Sequence, residues 1–72
     1  MRRFDAKALH SAIDQQRKHR KMSWAELAKE IGVSASTLQR TKEGGRLEVD
    51  GMLAMVCWLN EKVETFVVEA PY

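Results

Sequence analysis

Apolar residues recur at helical spacing along most of the chain, and each apolar stripe is preceded by a residue suited to start a helix. Leu9, Ala12 and Ile13 form the first stripe. Asp5 suits the N-cap ahead of it, and Phe4 can pack on Leu9 as a hydrophobic staple. The pattern predicts a helix from residue 5 to about residue 20. Ser23-Trp24-Ala25-Glu26 reads as a capping box, with Met22 and Leu27 as its staple. Leu27, Ala28 and Ile31 supply the buried face, and Gly32 stops the helix. Ser34 can cap a third helix, with Val33 and Leu38 as staple, ending near Gly44-Gly45. A fourth helix follows Asp50 and contains Met52, Leu53, Val56 and Leu59. After Asn60 the stretch 63–68 is richer in β-branched residues. It fits a final helical turn, an added strand, or both, and Pro71 ends any regular structure.

The second and third helices are too close in sequence to lie side by side, so they must cross steeply. A steep crossing needs a small side chain at the contact, which Ala28 provides. The turn needs a residue that tolerates positive φ, which Gly32 provides. Leu27, Ile31, Val33 and Leu38 then close a small core between the two. The combination is a helix-turn-helix, with the motif at about 23–43. Its second helix presents Ala35, Ser36, Gln39 and Arg40 outward. The shorter side chains lie near its start, so that end can approach base edges closely.

Seventy-two residues make one small domain with no room for a lidded cleft. The longest apolar run, 52–59, falls far short of the roughly 20 residues that cross a bilayer. No apolar signal core follows Met1-Arg2-Arg3, so a cytoplasmic protein with no membrane partner is expected. One cysteine excludes an internal disulfide, and Cys57 with His10 and His19 shows no metal-ligand spacing. Cys57 reads as a small apolar filler, and His10 and His19 as surface residues without partners of ligand type. No Ser, His and acid cluster supports nucleophilic catalysis. An enzyme is not expected, nor any cofactor or metal.

Charge is unevenly spread. Residues 1–21 carry +5, residues 22–46 carry +1, and residues 47–72 carry −4. Such asymmetry suits a basic side meeting a polyanion and an acidic side facing away.

The stretch Met22-Ser23-Trp24-Ala25-Glu26-Leu27-Ala28-Lys29-Glu30-Ile31-Gly32-Val33-Ser34-Ala35-Ser36-Thr37-Leu38-Gln39-Arg40 resembles the helix-turn-helix of the phage-repressor-like, Cro/CI or XRE family. The resemblance extends over residues 4–66, with 67–72 left as a C-terminal tail. It implies an all-α, lambda-repressor-like bundle of four or five helices, with a short C-terminal strand or helical turn. It also implies binding of double-stranded DNA, with the third helix in the major groove and the second across the backbone. Carried over by position, Ala35, Ser36, Gln39 and Arg40 match base-reading sites. Arg40 is the strongest reader, because its planar fork matches guanine O6 and N7. Arg17, Ser23, Trp24, Ser34, Thr37, Lys42 and Arg46 are candidate phosphate contacts, and Arg17 is alternatively a structural ion-pair partner. Five or so such contacts imply a log–log salt slope of about −4 to −5.

The chain departs from the family at three places. Trp24 stands where Gln is frequent, and it suits either a phosphate edge or the core. Thr41 stands where a buried aliphatic is usual. Lys42 stands where an acid often pairs with a first-helix arginine, a pairing that Glu43 can take over. On a helical wheel Ala54 and Trp58 lie opposite Met52 and Val56, which leaves apolar surface to cover. The chain's own tail or a second subunit would cover Trp58; a homodimer through helix 50–59 and the tail would also place two reading helices roughly 34 Å apart. The expected role is a sequence-specific transcriptional regulator acting as a repressor. The alternative is an antitoxin-like or adaptor module that meets a protein partner at its acidic, β-prone tail.

Overall fold

In the computed structural model, which describes residues 2–69, the order is β1 (Arg2–Phe4), α1 (Ala6–His19), α2 (Trp24–Ile31), α3 (Ala35–Glu43), α4 (Val49–Trp58), a 3-10 turn (Val63–Phe66) and β2 (Val67–Glu69). Residues 70–72, including the expected stop at Pro71, lie outside the described residues. Three of the four helices start as their sequence signals require. Asp5 accepts from the Ala8 amide at 3.0 Å. The Ser23 hydroxyl accepts from the Glu26 amide while the Glu26 carboxylate accepts from the Ser23 amide, both at 3.1 Å, closing the capping box. Ser34 caps α3 by accepting from the Thr37 amide at 3.1 Å. The fourth start differs from expectation. The helix begins at Val49, before Asp50, and its cap residue Glu48 makes no side-chain capping bond.

The core is one cluster of Leu9, Ile13, Leu27, Leu38, Met55, Val56 and Phe66. The predicted residues of the α2–α3 hinge take part: Leu27 and Leu38 are buried, and Ala28, Ile31 and Val33 pack against them. α1 lies most extensively along α3. Thr41 is fully buried on α3. Its hydroxyl donates back to the Thr37 carbonyl at 2.7 Å and touches Met55 Sδ at 3.8 Å. A helix supplies that acceptor locally, so a threonine can occupy a site where an aliphatic is usual.

Both alternatives for the end of the chain are present, a 3-10 turn and then a strand. The strand's partner is an element that the hydrophobic pattern did not predict. Arg2, Arg3 and Phe4 pair antiparallel with Glu69, Val68 and Val67. The Asp5 amide donates to the Phe66 carbonyl at 2.6 Å, and the Phe4 and Phe66 rings meet at 6.0 Å. Three residues carry no alternation long enough to read as a strand. The pairing exists because the 3-10 turn brings the tail back beside the start of α1.

One further expectation is corrected: Cys57 is exposed and not an apolar filler. Trp58 is half-buried within the chain. Its indole N–H donates to Glu30 at 2.5 Å, and the Arg20 guanidinium lies 5.1 Å from its ring while bonding Glu30 at 3.2 Å.

Gly32 tests the hinge. It sits at φ 90°, its amide donates to the Ala28 carbonyl at 2.9 Å, and a methyl group there would meet nothing within 4 Å. Any loss from Gly32→Ala therefore reflects backbone strain and not a clash. The expected cost is about 1–2 kcal/mol, read as a lower urea midpoint with an unchanged slope.

Candidate nucleic-acid interface

The two αL caps, Gly32 and Gly44, bound α3 and leave one side of it in water. Ala35, Ser36, Gln39 and Arg40 are all exposed. Spacing divides them into two rows: Ala35, Gln39 and Lys42 toward α1, and Ser36, Arg40 and Glu43 further out. The stem of Arg40 lies along Gly45, where an added methyl would come 3.1 Å from Cγ. Among the described residues the side chains of Arg40, Lys42 and Arg46 have no hydrogen-bond or ion-pair partner. Gln39 reaches Glu43 at 3.4 Å, so Glu43 does not take over the pairing with α1.

Arg17 makes a different pairing. Its Nε and Nη2 donate to one Asp14 oxygen at 3.1 and 2.8 Å, and Nη1 donates to the Met22 carbonyl at 2.9 Å. Its guanidinium carbon also lies 4.5 Å from the centre of the Trp24 ring. This is the structural ion pair of the two alternatives considered for Arg17. His10 covers Trp24 on an almost parallel plane, with ring centres 5.1 Å apart. Trp24 is thus neither in the core nor free, and His10 has a ring as its partner and no group of ligand type. The indole N–H of Trp24 makes no hydrogen bond among the described residues.

The remaining candidates sit at helix starts. Ser23 and Ser34 cap α2 and α3, whose first-turn amides have no partner inside the helix and can meet an anion. The Thr37 hydroxyl lies 3.0 Å from the Ser34 hydroxyl. One of the two donates to the other, which leaves a single hydroxyl hydrogen for a further acceptor.

Between α1, the start of α2 and α3 runs an open groove that includes His10, Arg17, Lys18, Trp24, Gln39 and Lys42, with Asp14 also on its wall. His10 was read from the sequence only as a surface residue, and Asp14 and Lys18 were not singled out. Their spacing with Arg17, at i, i+4, i+7 and i+8, places all four on one face of α1, and that periodicity was the available signal.

A helix-turn-helix family model matches residues 13–46. Residues 13–46 are thus similar to a helix-turn-helix of the Cro/CI-like, XRE type. The helix-turn-helix is the motif of DNA-binding regulators. A search of curated proteins and a search of solved structures return no match. The match spans the second half of α1 and all of α2 and α3, which are the elements that line the groove and carry the exposed row. No helix among the described residues is long and apolar enough to cross a membrane.

Two groups in the groove make stability depend on pH. The hydrogen bonds from Arg17 hold the Asp14 carboxyl below its ordinary 3.8. Its contribution is present above that value and is lost as pH falls through the lower folded value. Burial, opposed by Asp14 and aided by Lys42 and Arg17, holds the His10 imidazole below its ordinary 6.5. The unfolded chain therefore takes that proton first, and stability declines as pH falls below 6.5. Thermal melts should show a fall in Tm just below neutrality and another in the acid range. His10→Phe should flatten the first and Asp14→Asn should reduce the second. Unchanged profiles in both variants would contradict these assignments.

Proposed function

We propose that the chain is a sequence-specific regulator that binds double-stranded DNA with α3 in the major groove and acts as a repressor. The exposed, unpaired Arg40 on the outward row of a helix-turn-helix carries this reading. Its fork suits guanine, Ser36 and Gln39 stand beside it as polar readers, and Ala35 can offer a methyl contact to thymine. Trp24, Ser23 and Ser34 at the two helix starts, with Thr37, Lys42 and Arg46, serve the phosphates, while Arg17 holds the structural ion pair with Asp14. Repression follows from occupancy, since a bound domain of this size blocks polymerase without further machinery.

The working unit is a homodimer through α4 and the tail. Val49 and Leu53 are 62% and 41% exposed and stand four residues apart on one face of α4, with Val68 of β2 also exposed. Paired α3 helices would then read two half-sites related by a two-fold axis. The rival antitoxin-like reading needs a tail free to wrap a partner. The pairing of β2 with β1 favours a structural role for the tail instead.

Selection from random duplexes should yield a palindromic site. Arg40→Ala should lose about 1–3 kcal/mol of discrimination at one base pair of each half-site. Lys42→Ala or Arg46→Ala should weaken all sequences alike and lower the salt slope by about 0.9 each. An Arg40→Ala protein with an unaltered preferred sequence would overturn the assignment of α3.

A further inference from the structure

The groove beside α3 holds more cationic groups than the hinge needs. Arg17 is occupied by Asp14 and the Met22 carbonyl. Lys18 touches the other Asp14 oxygen at 3.4 Å, yet its side chain remains 68% exposed. Lys42 faces the same space without a partner among the described residues. Asp14 is the one carboxylate on the groove wall, against three permanent cations. Trp24 also lines the groove at the start of α2, with its indole N–H unused and the first-turn amides of the helix beside it. His10 lies flat on Trp24. The groove is also continuous with the base-facing side, since Ala35 and Gln39 line it too.

A duplex that admits α3 to its major groove must lay one backbone wall across the elements flanking α3. On the α1 side that wall passes over this groove. We propose that the groove is a phosphate seat in which Lys18 and a protonated His10 grip the backbone beside Trp24, so that DNA binding takes up a proton. The proposal rests on the DNA-binding reading above. It assigns binding roles to His10 and Lys18 and makes affinity responsive to pH.

The groups facing His10 explain why the proton arrives only with the ligand. From α1 come Asp14, Arg17 and Lys18, from α2 the uncharged Trp24, and from α3 Gln39 and Lys42. Without DNA, burial, aided by Lys42 and Arg17 and opposed by Asp14, holds the imidazole below its ordinary titration range. A phosphate entering the groove adds negative charge where the cations converge and favours the imidazolium. Between the free and bound titration ranges the complex holds one more proton than its parts. Affinity therefore rises as pH falls through that window.

The test uses the whole chain and a mixed-sequence duplex at low salt, with binding followed by fluorescence anisotropy. Association should strengthen about fivefold from about pH 7.5 to about pH 6, bounded by tenfold per unit for one proton. His10→Gln should remove that dependence while His19→Gln keeps it. Lys18→Gln should reduce the salt slope by about 0.9, while Lys29→Gln, outside the groove, should not. The His10 imidazole signals of the unaltered protein should titrate at higher pH once duplex is added, which guards against a variant that fails to fold. Binding with the same pH profile in the His10→Gln and unaltered proteins, or an imidazole titration unmoved by duplex, overturns the seat and leaves the reading of α3 standing. No binding of any duplex at any pH overturns both.

Discussion

Gly32 ends α2 at φ 90°, and Ser34, two residues on, caps α3. Between them the backbone has almost no freedom. The Gly32 and Val33 amides both donate to the Ala28 carbonyl, at 2.9 and 3.1 Å. This pair of hydrogen bonds to one carbonyl turns the chain sharply, and Leu27 and Leu38 bury themselves on the inside of the bend. The outside of α3 then has nowhere to point except water. Its exposed row, the free charge of Arg40 and the open groove beside it all follow from the direction set at this turn.

A helix of eight residues is too short to hold itself, and α2 is secured at both ends by an aromatic ring paired with a cation. At its start Trp24 lies between His10 and Arg17 of α1. Near its finish Glu30 receives the Trp58 indole and Arg20. Each such contact contributes only about 0.5–1 kcal/mol at an exposed site, but the two act at opposite ends of one rigid element. They fix the helix that positions α3. The cation–aromatic contact at the start of α2 also borders the proposed phosphate seat, so the same side chains that orient the motif shape the surface it offers to a polyanion.

Local signals were legible because they act within a few residues. Asp5, the Ser23–Glu26 box, Gly32 and Ser34 each satisfy or release backbone groups of their own turn, and each appears in the structure as its residue type requires. The outward placement of Ser36 and Arg40 followed from the same periodicity. The pairings across elements were not legible. The pairing between α1 and α3 considered for Arg17 and Glu43 did not form: Gln39 bonds Glu43 within α3 and Arg17 bonds Asp14 within α1, because the choice between a neighbour on the same helix and one across the fold depends on distances that sequence spacing does not contain. His10 gained Trp24 as a partner, and Trp58 gained Glu30 across 28 positions of chain.

The order of residues alone settled the helices, their boundaries to within a residue or two, and the hinge that aims α3, since these depend on capping geometry, apolar period and the left-handed freedom of glycine. Folding in three dimensions settled the β1–β2 pairing, the burial of Thr41, the exposure of Cys57 and the groove between α1, α2 and α3. Those features arise where elements distant in the chain meet, and they depend on how cores close and charges converge in space.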